Sequence, residues 1–156
     1  MFLTGKSVIV MDREKKAIEY HRRKFNCSQS VLAVFSDEHG VRENECLKIA
    51  CAFGGGMARK QYTCGAITGA MMVLGLRFGM GVNDPEEDKL KTYAKTRELF
   101  SEFKKLHGST CCLDLLDGLN MNNPDDFKKI VDQKLIDVRC EKYISDAVLI
   151  AERLMK

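Results

Sequence analysis

The sequence predicts an all-α fold, a single-domain bundle of about six to eight helices. Three observations predict it. Helix caps and terminators recur along the chain with helical composition between them. Strand-like alternation is nearly absent, residues 7–10 (Ser-Val-Ile-Val) being the best candidate. The connections are short, with no repeat or low-complexity segment, and 156 residues suffice to bury one real core.

Residues 1–11 read as an N-terminal extension expected to lack fixed structure, with Met11 a second candidate for the start; residues 12–156 read as the helical domain. The stretch 12–24 has helical composition and is interrupted by Phe25-Asn26. A second helix is predicted over 27–39, with Asn26 as N-cap, Gln29 as its capping-box partner and Gly40 as terminator. The third, over 43–53, carries Cys46, Ile49, Ala50 and Phe53 on one face and stops at Gly54-Gly55-Gly56. Thr63 is expected to cap a fourth over 64–78. In Asp84-Pro85-Glu86-Glu87 an N-cap, a first-position proline and a third-position glutamate coincide. That helix runs to His107 and Gly108, with Leu90, Tyr93, Ala94, Phe103 and Leu106 on its apolar side. Ser109 caps a short helix to Leu116, Asn123-Pro124 opens another through Val131, and Asp137 caps the last, over 138–155.

Charge excludes some functions. With 25 basic against 22 acidic residues the net charge is only +3, and the clusters Arg22-Arg23-Lys24, Lys104-Lys105 and Lys128-Lys129 are separate. They read as solvated helix faces, so no nucleic-acid partner is expected. The longest charge-free run, residues 64–76, is far short of the ~20 that span a bilayer, so no membrane association is expected either. The N-terminus has Lys6 inside its apolar stretch and no plausible cleavage site, which points to a soluble, cytoplasmic protein.

Seven cysteines then become informative, because in a reducing compartment clustered thiols mean metal or redox chemistry more often than disulfides. No C-x-x-C, C-x-x-C-H or zinc-finger spacing occurs, so a site must be assembled from distant segments. Cys27 follows the cap Asn26, Cys64 follows Thr63, Cys111 and Cys112 follow Ser109, and Cys140 stands three residues after Asp137. Four helices thus begin with a cap and a first-turn cysteine, where free N–H groups and the helix dipole favour a thiolate by up to ~2 kcal/mol. Adjacent cysteines point about 100° apart on a helix, so Cys111 and Cys112 are not expected to serve one site together. Cys46 and Cys51, inside the third helix, read as small core residues. His39 and His107 each precede a helix-ending glycine, where a cation suits the C-terminus, and His21 reads as helix surface.

The segments FNCSQSVL, FGGGMAR…TCGAITGAMMVLGLRFG, STCCLDLL and RCEKYISDAVLIAERL together resemble the bacterial and archaeal family of redox-active proteins named for its C…GCAxxG…C…C pattern. The likeness runs from about residue 12 to the C-terminus. It implies a small helical protein with four functional cysteines. A related module in split-Soret cytochromes is associated with an iron–sulfur site. On this resemblance Cys27 matches the first family cysteine, Cys64 the one in the glycine-rich block, Cys112 the third better than Cys111, and Cys140 the last. The chain departs from the pattern in two ways. It has no haem-attachment motif, so the cytochrome function does not carry over, and Asp117 stands as an extra residue before Gly118, which leaves the Cys111/Cys112 choice open.

The glycines remain to be explained. Gly65, Gly69 and Gly75 inside one helix cost roughly 3 kcal/mol relative to alanine, which close helix packing or an approaching cofactor would offset. Gly54, Gly55 and Gly56, beside Arg59 and Lys60, are either a plain connection or a cradle whose N–H groups approach a ligand. The chemistry expected first is a non-haem electron-transfer protein holding a 2Fe-2S or 4Fe-4S iron–sulfur cluster on Cys27, Cys64, Cys112 and Cys140. Gly54, Gly55, Gly56 and Arg59 would attend it, and an unidentified redox partner would exchange its electrons. A thiol/disulfide enzyme and a structural zinc site on the same four cysteines are the alternatives, and a homo-oligomer is compatible with all three.

Overall fold

The structure, a computed structural model, describes residues 12–156. The predicted extension and the candidate strand at 7–10 lie outside these residues. In chain order the elements are α1 (Arg13–Arg22), α2 (Cys27–Ala33), α3 (Glu43–Ala50), a single turn α4 (Gly54–Met57), α5 (Gly65–Phe78), α6 (Glu86–His107), α7 (Cys112–Leu115), α8 (Pro124–Asp132) and α9 (Glu141–Met155). Short 3-10 turns occupy Asp37–His39 and Cys51–Phe53, and a wide π-turn, Ile136–Cys140, leads directly into α9. No strand occurs among the described residues; the one extended contact is an isolated bridge between Thr63 and Cys111. The all-α expectation holds.

Helix α5 is the centre of the bundle, packed between α2, α6 and α9. Its Ala66, Ile67, Ala70, Val73 and Leu74 are fully buried against Val31 and Phe35, Leu99 and Phe103, and Ile144, Ala147, Val148 and Ala151. A second, smaller apolar cluster joins Cys112, Leu116, Ile130 and Leu135, with Met121, Ile136 and Cys140 packed against it. Every side chain in it comes from the C-terminal third of the sequence, and it closes one end of the molecule.

Local signals place several boundaries correctly. Asn26 Oδ1 accepts the Gln29 N–H at 3.0 Å while Gln29 Oε1 accepts the Asn26 N–H at 2.9 Å, a complete capping box. Asn123 accepts N–H bonds from Asp125 and Asp126 behind a first-turn proline. Gly40 and Gly108 end their segments at φ +66° and +82°.

Others shift. Helix α2 stops at Ala33, not residue 39, because i→i+3 bonds from Phe35 to Leu32 and from Ser36 to Ala33 tighten the chain and carry Phe35 into the core. Helix α3 ends at Ala50, which leaves Ile49 exposed. Asp84 does not cap α6; its carboxylate accepts the Gly81 N–H at 2.8 Å instead. Nor does Asp137 cap α9, since the helical path already begins at Ile136. In α6 the core takes Leu99 and Phe103, whereas Leu90, Tyr93 and Leu106 face solvent. Two apolar stripes compete on that helix, and only tertiary packing chooses between them.

Candidate metal centre

Cys27, Cys64, Cys112 and Cys140 line one cavity, and the local structure that places them there differs from the predicted caps. Cys27 opens α2 as expected. Cys64 is itself the N-cap of α5, with extended φ/ψ of −50° and 134°, rather than a first-turn residue behind Thr63. Thr63 instead joins a short antiparallel seam. There Cys64 N–H donates to Thr110 O at 2.9 Å, Cys112 N–H to Tyr62 O at 2.6 Å and Leu113 N–H to Gln61 O at 3.2 Å. The seam holds the start of α7 against the start of α5, and so Cys112 beside Cys64. Cys140 ends the π-turn; one extra residue in a helical turn rotates the residues after it by about 100°.

These four residues line one cavity of about 900 Å³, together with Gly54, Gly55, Gly56 and Arg59. Its lining also includes His21, Arg22, Ile136, Glu141 and Tyr143, whose hydroxyl donates to Leu115 O at 2.9 Å. The volume is within the range of small-molecule and cofactor sites. Cys111 is not part of the lining: its thiol donates to Gln61 O at 3.2 Å. Cys46 is fully buried in the main core, as expected, but Cys51 is not a core residue. It sits beyond the end of α3, exposed on the cavity rim, with Asn26 Nδ2 bonded to its carbonyl at 2.8 Å. Among the described residues no three Cys, His, Asp or Glu side chains are gathered closely enough to hold one metal ion.

The glycine triplet is neither a plain connection nor an ordinary helical turn. Gly55 (φ 64°, ψ 33°) and Gly56 (φ 65°, ψ 49°) are left-handed, and Met57, Ala58 and Arg59 continue at φ 70°, 51° and 61°. A run of this kind costs about 1–2 kcal/mol for each residue with a side chain. The bonds from Gln61 N–H to Gly55 O and from Tyr62 N–H to Gly56 O, both 3.0 Å, close it. Strain concentrated beside a cavity is a common mark of a functional site. A methyl on Gly56 would stand 2.7 Å from Gln61 Cα and 2.8 Å from Cys112 Cβ, and one on Gly54 2.3 Å from the Asn26 side chain. The cavity floor is therefore bare backbone because side chains do not fit there.

Gln61 is a residue that sequence reasoning misses. Buried and itself left-handed at φ 56°, it donates from Nε2 to Leu119 O at 2.9 Å and accepts the Met121 N–H at 2.7 Å. It thereby ties the strained loop to the segment that supplies Met121 to the cavity. Nothing in its neighbours along the chain signals this. His21, expected on open helix surface, lines the cavity instead, where burial lowers its pKa.

At Cys27, Cys64 and Cys112 the thiol pKa is raised, not lowered as expected. Burial pushes Cys64 up to about 12, against a smaller pull from the Ala66 and Ile67 amides, which form no full capping hydrogen bond to it. Burial also pushes Cys112 up to about 12, with the neighbouring Cys64 and Cys27 adding to it. Cys27 is raised chiefly by a hydrogen bond with the Cys140 thiol and then by burial. Desolvation outweighs the helix dipole, and these three sites hold their protons at neutral pH without a metal.

The structure is thus an all-α domain in which cysteines from separate elements line one cavity. The family model described as "Putative redox-active protein (C_GCAxxG_C_C)" matches residues 25–154, and the chain belongs to that family. A protein of Archaeoglobus fulgidus, itself named "Uncharacterized protein", is 26% identical over 126 residues, covering 76% of this chain and 83% of its own. No solved structure matches. No helix among the described residues is long and apolar enough to cross a membrane.

Proposed function

We propose that this is a non-haem redox protein whose cavity holds an iron–sulfur cluster on Cys27, Cys64, Cys112 and Cys140. The single observation that carries the reading is the shared cavity, lined by these four cysteines from four separate elements, with Cys51 exposed on its rim and Cys46 and Cys111 outside it. The donor set fits: thiolates are the usual ligands of 2Fe-2S and 4Fe-4S centres. When bound, such a cluster supplies one-electron transfer. The chain's own part is to exclude water, to bring bare backbone at Gly54, Gly55 and Gly56 close, and to set the Arg59 cation beside a negatively charged guest. Because three of the thiols are protonated in the metal-free protein, loading releases protons and is favoured by rising pH.

A second reading rests on Cys27 and Cys140 lining the same cavity and acting on each other there. In it these two thiols form a disulfide, passing two electrons and two protons to a small disulfide acceptor that leaves as two thiols. Anaerobic purification followed by a visible spectrum and iron, sulfide and zinc assays tests both. The cluster reading requires iron and acid-labile sulfide together, with charge-transfer absorption lost in Cys27→Ser and Cys64→Ser and retained in Cys46→Ala and Cys111→Ser. Protein that lacks iron and forms a Cys27–Cys140 disulfide on mild oxidation supports the second reading instead. Zinc without sulfide refutes both and leaves a structural site.

A further inference from the structure

The solvent side of α6 carries a pattern that the bundle does not use. At about 100° per residue, Glu86, Leu90, Tyr93 and Arg97 fall on one stripe about 60° wide, whose centre is turned about 130° from that of the buried Leu99 and Phe103. All four are exposed, Leu90 by 56% and Tyr93 by 53%. An ordinary surface helix is polar on the face away from its core. Here the outward stripe reads acid, apolar, aromatic, base. Laid antiparallel on its own copy, this order is its own complement. Glu86 meets the second copy's Arg97 and Leu90 its Tyr93, and the two-fold axis repeats both contacts.

We propose that the outward stripe of α6 is a homodimer interface, with α6 of a second copy of this chain packed antiparallel across it. Charge order selects the occupant: a parallel copy would set Glu86 against Glu86 and Arg97 against Arg97, whereas the antiparallel copy pairs opposite charges at both ends. Among the described residues Glu86 pairs with Lys89 alone, 2.7 Å away in an exposed i,i+3 pair. Such a pair is worth little and yields readily to a partner. The contact spans about three helical turns, which places it among small, weak interfaces, so the dimer forms reversibly at roughly micromolar concentration or above. It lies away from the cysteine cavity, none of whose lining residues belongs to α6, and so stands or falls independently of the cluster reading.

Native mass spectrometry and sedimentation of the full chain test the geometry. The wild type is expected to be a concentration-dependent dimer. Glu86→Arg and Arg97→Glu each place two like-charge contacts in the homodimer and raise its dissociation constant by at least about tenfold. Mixed in equal amounts, the two variants restore both opposite-charge pairs and form a heterodimer distinguished by mass. Circular dichroism shows whether each variant keeps its helices, and Tyr93→Asp, which removes the apolar centre without touching the charges, provides a second route to a monomer. A wild type that stays monomeric up to about millimolar concentration overturns the proposal. A dimer that survives both charge reversals, or variants that dissociate and do not pair with each other, overturns it equally.

Discussion

The two halves of α5 both contain glycine and hold it differently. The first half, with Gly65, Ala66, Thr68, Gly69 and Ala70, is built of small residues, whereas in the second Gly75 stands alone among large side chains. In the first, Gly65 to Ala70 are all buried, and a methyl on Gly69 would lie 2.8 Å from Ser28 O and 2.9 Å from Val31 Cβ. In the second, a methyl on Gly75 would meet nothing within 4 Å, and Leu76 beside it is exposed. The same residue type is a packing requirement at one end and only a propensity cost at the other. What separates them is the approach of α2, which brings Cys27 to the end of α5 where Cys64 caps it.

The largest expected effect is chemical and belongs to the Cys64 end. With burial holding its thiol at about 12 against an ordinary 9.0, alkylation of Cys64 in metal-free native protein at about pH 8 should be at least about a hundredfold slower than in denaturant. Peptide mapping after timed labelling reads it, and equal rates would mean that the site is open. The same shift acts on stability. A folded-state pKa above the unfolded value favours the fold below about pH 9 and loses that contribution as pH rises towards about 12. Urea unfolding of metal-free protein at about pH 10.5 should therefore show a lower midpoint than at about pH 8, and a smaller difference in Cys64→Ser.

Gly56→Ala comes next, because its Cβ meets backbone at 2.7 Å in a left-handed residue. A loss on the order of 3 kcal/mol is expected in denaturant unfolding. Gly55→Ala is milder, since the first atom met is the flexible Arg59 Cγ at 2.9 Å and mainly the φ penalty of about 1 kcal/mol remains. Gly69→Ala should cost about 1–3 kcal/mol by pushing α2 from α5, and labelling of Cys27 should quicken with it. Gly75→Ala, the smallest effect, should stabilise by about 0.5–1 kcal/mol. Were it to destabilise, the second half of α5 would also be a contact surface, and the contrast would fail.

Much of the fold is legible in the sequence, and the illegible parts have a common cause. Asn26 with Gln29, and Asn123 with Pro124, are decided within four residues, so sequence reads them. Cys112, and not Cys111, is in the lining of the cavity, a choice that the sequence left open. Illegible are the properties that depend on surroundings. Met57, Ala58 and Arg59 disfavour the left-handed region individually and are held there by the Ala58 N–H bond to Ala52 O and by the anchoring of Gln61. The helix dipole at Cys64 is a local quantity, whereas the desolvation that overrides it comes from the packed walls. Periodicity marks an apolar side on α6 without telling the core stripe, Leu99 and Phe103, from the outward one, Leu90 and Tyr93. Cys51 falls on the rim because its helix stops one residue before it.

The seam between Gln61 and Leu113 has a consequence for the order in which the molecule assembles. Cys64 and Cys112 are brought together only when the whole α5–α6 excursion has been closed on itself through Thr110 and Tyr62. The packing of α6 on α5 shortens that closure, so the two ends of the excursion are already drawn towards each other by the helices between them. The cavity is complete only once the seam has formed, and without it a guest would find Cys64 with no Cys112 held beside it.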